Sequence, residues 1–350
     1  MLIFIFLLFH LYFCCGSFEN SSESLFKILT DWNSTSCKPP SGFRGSILLL
    51  NYSNYEDRKH AFKLRESGFP FKINDVHSLK RARIKWDREY ISKNVNGKAY
   101  LVEYSADQHF KYWQVEGRNV SKTFIPPTKV LNMGFDEWYK KSQEQEQDLT
   151  CGSGTSSGYY YFHINSMRVL GGRSEHFISR DLPFFSARRK NLFISDIYSN
   201  KGIECRFGMR GIIAEPHCDT SRNMIAVVTG KRRVILVPPY YCSYLQICSD
   251  VKDPFYRQSK IDWSNLEHVV TYKFKYVRAV QTILEAGEVL YVPPLWFHYI
   301  ISLEYSLQCN AFSHRIHDIS RITNDSCILD IYDHKRRGAV EFHEQFSPSA

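Results

Sequence analysis

Two histidines and an aspartate in separate parts of the chain have the residue types and the spacing to bind a metal ion. His217 and Asp219 are two positions apart, and His298 lies in a later stretch. Side chains at positions i and i+2 of a β-strand point to the same face, so His217 and Asp219 can both face inward. A histidine from a distant strand would complete a set of two histidines and one carboxylate. That set leaves coordination positions open and suits Fe(II) that activates dioxygen.

The surrounding sequence favours a metal site over its alternative, three ordinary polar residues on a barrel. The two stretches that hold these residues, 208–239 and 287–312, contain apolar, β-branched runs bounded by glycines and prolines. Such runs are typical of short strands joined by turns. Together with a His-x-Asp pair and a late histidine, they indicate a jelly-roll barrel with the ligands in its mouth.

These stretches resemble the JmjC (cupin-8) family of 2-oxoglutarate-dependent oxygenases, and within it the branch of asparaginyl hydroxylases that act on the hypoxia-inducible factor. The resemblance also covers LKRARIKWDREYISKN at residues 79–94, YSADQHF at 104–110, RQSKIDWSN at 257–265 and GEVLYVP at 287–293. It implies that His217, Asp219 and His298 bind Fe(II), that 2-oxoglutarate is the cosubstrate, and that a C–H bond is hydroxylated.

The resemblance further implies which residues bind 2-oxoglutarate. Arg232 stands where the family has a lysine that binds the distal carboxylate, and Tyr161 matches a tyrosine that hydrogen-bonds the cosubstrate. Asn223 and Asn310 match asparagines that line the cosubstrate and metal pocket. Ala214 is a departure, because the family enzyme has a threonine there that donates to the same carboxylate. Arginine can bind a carboxylate through two parallel hydrogen bonds, so Arg232 is a sensible replacement for lysine.

The sequence leaves open which way two of these side chains point. Tyr161 ends a run of three tyrosines, and Arg232 is the middle one of three basic residues at positions 231–233. Because side chains alternate along a strand, only one or two of the three basic residues can point inward. The alternative for Tyr161 is a core aromatic residue, and the alternative for Arg232 is a surface arginine.

Arg257 and Gln258 match the pair that holds the target side chain in the asparaginyl hydroxylases. An arginine beside a glutamine can satisfy both ends of a primary amide, so we expect an Asn-like target in a protein or peptide. The alternative is a pair that fixes its own loop. Cys218 and Cys309 are expected near the metal, with Cys218 pointing away from the ligand face into the core.

The predicted fold is mostly β, a double-stranded β-helix (jelly-roll or cupin) core over residues 151–315. An α/β extension over residues 17–150 precedes this core, and a tail over residues 316–350 follows it. We expect a helix over residues 81–94, strands over 99–103 and 159–164, and a polar surface loop over 141–158.

The first residues and the glycosylation motifs favour the secretory pathway, either the endoplasmic reticulum lumen or secretion. Residues 1–16 form an apolar block that is too short to span a bilayer comfortably but suits a signal peptide, although it lacks a basic start. Asn-x-Ser/Thr motifs follow at Asn20, Asn33, Asn51, Asn119 and Asn324. No later apolar stretch reaches membrane length, so no membrane span is expected after cleavage. An uncleaved anchor or a misassigned start is the alternative.

The remaining cysteines are compatible with disulfides. An even number, eight, follows the apolar block. Cys242 and Cys248 are close enough to close one loop, and Cys37 with Cys151 could fix the N-terminal region. The sequence leaves the connectivity open.

Charge and composition exclude some partners and leave others open. The net charge is +9, but the basic residues are scattered, and those at 80–85 alternate with Leu, Ala and Ile. This pattern is typical of a solvated helix face, so we expect no nucleic-acid partner. The asparaginyl hydroxylases dimerise through C-terminal helices that residues 316–350 do not resemble, which leaves a homodimer open. A binding module without turnover and a metal-dependent cupin enzyme without 2-oxoglutarate are the competing functions.

Overall fold

A computed structural model describes residues 21–34, 36–95, 99–147, 158–166, 177–185, 189–200, 202–267, 272–315 and 325–332. The strands in chain order are β1 (Glu23–Ser24), β2 (Leu49–Asn51), β3 (Phe71–Asn74), β4 (Tyr100–Ser105), β5 (His109–Phe110), β6 (Lys129–Met133), β7 (Tyr159–Asn165), β8 (Ile203–Gly208), β9 (Ile213–Cys218), β10 (Ser221–Thr229), β11 (Lys231–Val237), β12 (Arg278–Glu285), β13 (Val289–Val292), β14 (Phe297–Ser302) and β15 (Ser306–Arg315). The α-helices are α1 (Leu25–Asp31), α2 (Tyr55–Ser67), α3 (His77–Lys85), α4 (Arg88–Val95), α5 (Phe135–Gln147) and α6 (Phe177–Asp181). Two 3₁₀ helices cover Pro239–Leu245 and Tyr272–Tyr276.

The strands form two sheets between which the chain repeatedly crosses. One sheet has the order β1-β12-β11-β14-β9-β5, and the other has the order β2-β3-β13-β10-β15-β8-β7-β4-β6. From β8 to β15 the chain changes sheet at every connection except that between β11 and β12. This alternation is the jelly-roll arrangement, so the predicted mostly β fold is confirmed.

Apolar side chains fill the space between the sheets and cover both outer faces. Strand β10 illustrates the alternation: Ile225 and Val227 pack between the sheets, while Met224 and Val228 point outward. The outward side chains pack in one cluster with residues of α2 to α6. Helix α1 covers the outer face of the other sheet. Because both faces of the central strands are buried, their sequences are almost continuously apolar.

The N-terminal strands belong to the same sheet as the jelly-roll strands. Strand β3 pairs with β13 at one end, and β4 pairs with β7 at the other. The predicted strand over residues 99–103 is confirmed as β4, and the one over 159–164 as β7.

The predicted helix over residues 81–94 is in fact two helices. Helix α3 ends at Lys85, and the side chain of Asp87 accepts the backbone N–H of Tyr90 in the first turn of α4. A side chain that caps a new helix start favours the break at this point. The predicted loop over residues 141–158 is also wrong in part, because α5 continues to Gln147. Residues 148–157 lie outside the described ranges.

Two disulfides join elements that are distant in sequence. Cys205 on β8 bonds to Cys309, its direct neighbour on β15. Cys242 bonds to Cys327, so the proposed bond between Cys242 and Cys248 is wrong. Cys248 is a buried free thiol, and burial raises its pKa to about 11. Cys37 is disulfide-bonded, and Cys151, its proposed partner, lies outside the described residues.

None of the helices in the described part of the chain has both the length and the apolar composition that crossing a membrane requires.

Arg233 is a structural residue of the sheet that contains β11. Its guanidinium donates to the backbone carbonyls of Ile28 and Trp32 and to the side chain of Gln281. It also lies 4.1 Å from the centre of the Trp32 ring. Burial lowers its pKa to about 9, so it is still protonated at neutral pH. Arg233 therefore joins helix α1 to the outer face of the sheet.

Replacing Arg233 with methionine removes this guanidinium but keeps an unbranched side chain. The carbonyls of Ile28 and Trp32 would lose their donor, so we expect the free energy of unfolding to fall by about 2–4 kcal/mol. Lys231→Met, at an exposed position of the same strand, is the matched control. It should change the free energy of unfolding by less than about 0.5 kcal/mol. Urea denaturation measures both values. Equal effects of the two substitutions would contradict the role of Arg233.

Candidate metal centre

The three predicted metal ligands come together at one end of the barrel. His217 on β9 is the direct cross-strand neighbour of His298 on β14, and their ring centres are 4.2 Å apart. Asp219 follows the end of β9, in the turn to β10. One ligand atom from each of the three residues lies within 4.8 Å of the other two. This spacing allows all three residues to contact a single ion.

The backbone orients both imidazole rings toward that point. The ring Nδ1 of His217 donates to the carbonyl of Glu215 at 2.6 Å, and Nδ1 of His298 donates to the carbonyl of Trp296 at 3.2 Å. A carbonyl can only accept, so these contacts place the proton on Nδ1 and leave Nε2 for a metal. Burial lowers the pKa of His217 to about 3 and also lowers the pKa of His298. Both rings are therefore neutral, as metal binding requires.

Asp219 is held as a carboxylate. Burial alone would raise its pKa, but the pKa lies below its usual value, because the positive charge of Arg257 at 3.7 Å stabilises the carboxylate. The side-chain amide of Asn223 donates to Asp219 Oδ2 at 3.2 Å. Two neutral imidazoles beside an ionised carboxylate fit Fe(II) or a similar divalent ion by their donor types and charge.

Strand β9 departs from the regular alternation that the sequence suggested. His298 and Ile300 are two residues apart on β14, but their partners His217 and Ala214 are three residues apart on β9. The extra residue in β9 is a β-bulge, which re-aims the side chains that follow it. Ala214 and His217 consequently both line the cavity. Asp219 lies beyond the strand, so a regular strand does not explain its orientation.

A cavity of about 650 Å³ lies against the three residues. Of the residues assigned to cosubstrate and substrate, Tyr161, Asn223, Asn310, Arg257 and Gln258 all line it. The cavity is large enough for a cosubstrate and for part of a substrate.

A chain of side-chain amides connects the cavity wall to the ligand carboxylate. Gln308 donates to Asn310 at 2.9 Å, and Asn310 donates to Asn223 at 2.9 Å. Asn223 in turn donates to Asp219. Gln308 was not identified from the sequence, although its position two residues before Asn310 on one strand could have indicated it.

Of the three basic residues on β11, Arg232 is the one that points into the barrel. Lys231 forms an exposed ion pair with Glu285, and Arg233 faces outward. Only 1% of Arg232 is exposed. Its guanidinium donates to the hydroxyl of Tyr161 at 2.8 Å and to Ser306 at 3.0 Å. Within the described ranges, no acidic side chain lies within 4.0 Å of it. Arg232 is thus a buried cation without an acidic partner, and Tyr161 stands between it and the cavity.

A second arginine in the cavity wall was missed in the sequence. Arg206 on β8 lines the cavity, forms an ion pair with Glu204 at 3.1 Å, and its side chain is 28% exposed. His163 on β7 lies 3.8 Å from Glu204 and 3.9 Å from Glu103. The alternation of Glu204 and Arg206 with the apolar Cys205 and Phe207 in β8 could have indicated that Arg206 lies on the same face as Glu204.

Arg257 and Gln258 lie at the edge of the metal site. Arg257 has a φ of 70°, donates to the carbonyl of Cys218 at 2.7 Å, and approaches Asp219 Oδ1 to 3.7 Å. Gln258 forms a backbone bridge with His217, and only 2% of it is exposed. Its side-chain Oε1 is buried and has no hydrogen-bond partner among the residues that the structure describes. A buried acceptor without a partner is costly, so the geometry suits a ligand that donates to it.

The two cysteines expected near the metal both point away from it. Cys218 packs in the core on the outer face of its sheet, as predicted. Cys309 lies in the opposite cluster, bonded to Cys205.

A profile of the family described as the cupin-like domain matches residues 60–318. This chain belongs to the cupin-like domain family. Similar curated proteins include tRNA wybutosine-synthesizing protein 5 of Gallus gallus, 24% identical over 233 residues, which are 65% of this chain and 65% of the relative. Lysine-specific demethylase JMJ30 of Arabidopsis thaliana is 34% identical over 101 residues, 29% of this chain and 23% of that protein. JmjC domain-containing protein D of Dictyostelium discoideum is 30% identical over 107 residues, 31% of this chain and 24% of that protein.

The comparisons establish the cupin-like domain as the family of this chain. In the first of these relatives the match spans just under two thirds of the length. JmjC members typically bind Fe(II) and 2-oxoglutarate, and the His-Asp-His set of this cupin-like domain has the donor types for that metal.

Removing the ligand carboxylate should remove the metal site. Residues that only hydrogen-bond to metal ligands already contribute about 10- to 100-fold to metal affinity. We therefore expect Asp219→Ala, which removes a ligand itself, to weaken Fe(II) or Co(II) binding by more than about a hundredfold. The protein should remain folded, since Asp219 lies in a turn. Asp136→Ala, at an exposed ion pair, is the control and should leave metal affinity unchanged. Calorimetric titration measures both variants, and undiminished affinity of Asp219→Ala would refute the ligand set.

Proposed function

We propose that the protein is an Fe(II)- and 2-oxoglutarate-dependent dioxygenase that hydroxylates a protein side chain. The observation that carries this proposal is the shared cavity: the His-Asp-His set lines it, and the buried cation Arg232 lies behind its wall at Tyr161. In the overall reaction, 2-oxoglutarate, dioxygen and a C–H bond give succinate, carbon dioxide and a C–OH group. Dioxygen is the oxidant, and bound Fe(II) would supply its activation.

The residues of this chain have separate tasks in that reaction. His217, Asp219 and His298 would hold the iron, and the amides of Asn223 and Asn310 would keep the carboxylate of Asp219 in place. These amides also line the space beside the metal in which the chelating end of 2-oxoglutarate would bind.

The basic end of the cavity would bind the distal carboxylate. Arg232 and the Tyr161 hydroxyl supply positive charge and hydrogen bonding there. Ala214 lines the same cavity and its side chain cannot donate a hydrogen bond, so another donor at the cavity wall must replace the family's threonine. A buried arginine without an acidic partner is costly, and a bound dicarboxylate would offset that cost.

The proposed target is an Asn-like side chain. The unpartnered Oε1 of Gln258 could accept an N–H of a primary amide, and Arg257 beside it could donate to the amide oxygen. The curated relatives are named for tRNA modification and lysine demethylation. The acceptor of Gln258 and the donors of Arg257 fit a side-chain amide, which supports a protein or peptide target for this chain.

We place this reaction in the secretory pathway or outside the cell. Disulfides such as Cys205–Cys309 persist in oxidising compartments. The glycosylation motifs within the described residues begin at Asn33, Asn51 and Asn119, and all three asparagines are exposed. Their accessibility supports the proposal that they carry oligosaccharides.

The enzymatic proposal is tested by succinate release with a library of asparagine-containing peptides from secreted domains, read together with a mass increase of one oxygen on the peptide. Gln258→Leu should lose peptide hydroxylation by about 10- to 100-fold, because it removes the amide acceptor. The slow turnover of 2-oxoglutarate without peptide should persist, since the metal ligands are intact. Gln246→Leu, outside the cavity, is the control.

Two results would contradict the proposal. Metal binding without any response to 2-oxoglutarate would favour a different cupin enzyme. Binding of both without succinate release would favour a binding module.

The compartment is tested by expression in a secretory host. We expect a chain that begins at Ser17 and loses mass on enzymatic deglycosylation. Replacing Asn33, Asn51 and Asn119 with glutamine should reduce that loss in steps, because each motif carries its own oligosaccharide. An unglycosylated cytosolic product that begins at Met1 would contradict secretion and reopen intracellular substrates.

A further inference from the structure

Arg206 has more unused hydrogen-bond donors facing the cavity than any proposed cosubstrate residue. An arginine side chain carries five N–H donors. Within the described residues, Arg206 uses one of them, from Nη2 to Glu204. Arg232 makes four side-chain hydrogen bonds: to the Ser306 hydroxyl, the Tyr161 hydroxyl and the backbone carbonyls of Arg206 and Ser306. The residue expected from the sequence to bind a carboxylate is therefore almost saturated, whereas Arg206 is not.

The two arginines also differ in their access to a ligand. Arg206 lines the cavity that holds the metal ligands, whereas Arg232 lies behind Tyr161. Arg206 therefore belongs to the same cavity wall as the metal ligands, whereas a ligand would have to pass Tyr161 to reach Arg232.

Arg206 remains a cation in this setting. Burial would lower its pKa, but the carboxylate of Glu204 raises it. In return, Arg206 lowers the pKa of Glu204 to about 2. Glu204 engages only Nη2, so the Nη1 and Nε donors remain available to a second carboxylate.

We propose that Arg206 is the residue that contacts the distal carboxylate of 2-oxoglutarate, and that Arg232 is a positioning residue behind it. Arg232 donates to the backbone carbonyl of Arg206 at 3.3 Å and to the Tyr161 hydroxyl at 2.8 Å, and so fixes both groups at the cavity wall. This inference rests on the proposed use of 2-oxoglutarate. It also explains how the pocket dispenses with a donor at Ala214, since Arg206 brings several donors to the cavity wall.

Glu204 limits the affinity of this site. Its carboxylate occupies one donor of Arg206 and repels an incoming anion. A neutral side chain of the same shape would keep the geometry and remove the repulsion. The affinity for a dicarboxylate should therefore increase when Glu204 becomes glutamine, which a purely structural ion pair would not predict.

The test compares two ligands on the full-length protein loaded with Zn(II), which supports binding without turnover. 2-Oxoglutarate and 2-oxopentanoate share the chelating end and the chain length, but the second has a methyl group in place of the distal carboxylate. Calorimetry gives both affinities and their ratio. Arg206→Met should weaken 2-oxoglutarate by about 10- to 100-fold and leave 2-oxopentanoate unchanged. Glu204→Gln should strengthen 2-oxoglutarate alone, by about 3- to 10-fold.

The matched control is Arg210→Met, which removes an arginine that is ion-paired with Glu146 outside the cavity. It should leave both affinities unchanged. If Arg206→Met does not fold, Glu204→Gln decides the matter, and an unchanged ligand preference in that variant overturns the inference.

Other results separate this inference from the proposed function. If the unaltered protein prefers 2-oxoglutarate and Arg206→Met keeps that preference, Arg206 is not the contact and only this inference fails. If Arg232→Met abolishes the preference for 2-oxoglutarate and Arg206→Met does not, this inference also fails while the proposed function stands. If the unaltered protein binds neither ligand, or binds both equally, the proposed 2-oxoglutarate site itself is wrong.

Discussion

The antiparallel pairing of β9 with β14 is the constraint on which the metal centre depends. It sets His217 directly opposite His298, so ladder hydrogen bonds rather than flexible side chains fix the spacing of the two rings. The bulge in β9 then brings Ala214 and His217 to the same cavity. The backbone N–H of Leu295 donates to the carbonyl of Asp219 at 2.6 Å, which ties the turn that carries the carboxylate to the start of β14. The backbone thus sets the positions of all three ligand residues.

The charge around the cavity depends on that arrangement. Burial keeps the histidines neutral, and their contacts to backbone carbonyls fix the tautomer that presents Nε2. Arg206 at the cavity wall and Arg232 behind it each carry a positive charge. Glu204 forms an ion pair with Arg206 and not with Arg232. A buried charge is tolerated when an opposite charge or a full set of acceptors surrounds it. The proposed anionic cosubstrate therefore rests on the unused donors of Arg206, with Arg232 behind them, and not on the overall charge of the cavity.

Local patterns predicted much of the fold and part of the site. The strand signals indicated the jelly roll, and alternation on β11 limited how many of its basic residues could point inward. Alternation could not reveal the bulge that places Ala214 beside His217, because a bulge depends on the partner strand. Nor could local spacing pair Cys242 with Cys327, since that contact requires the folding of a distant segment. Arg206 was missed because nothing in one strand shows which neighbours leave its donors unused.

The direction in which a side chain points does not by itself reveal its role, as Arg232 and Arg233 show. Both are buried arginines on one strand, and neither has an acidic partner within the described residues. Arg233 contacts two carbonyls, an amide and an aromatic ring, which lie on the outer face of the sheet or in the helix segment that covers it. Arg232 contacts the backbone of Arg206 and the hydroxyl of Tyr161, which are themselves parts of the cavity wall. Two of the four side-chain hydrogen bonds of Arg232 hold that wall, and the other two go to Ser306. In our proposal, the positive charge that meets a ligand therefore comes from Arg206, the residue that Arg232 supports.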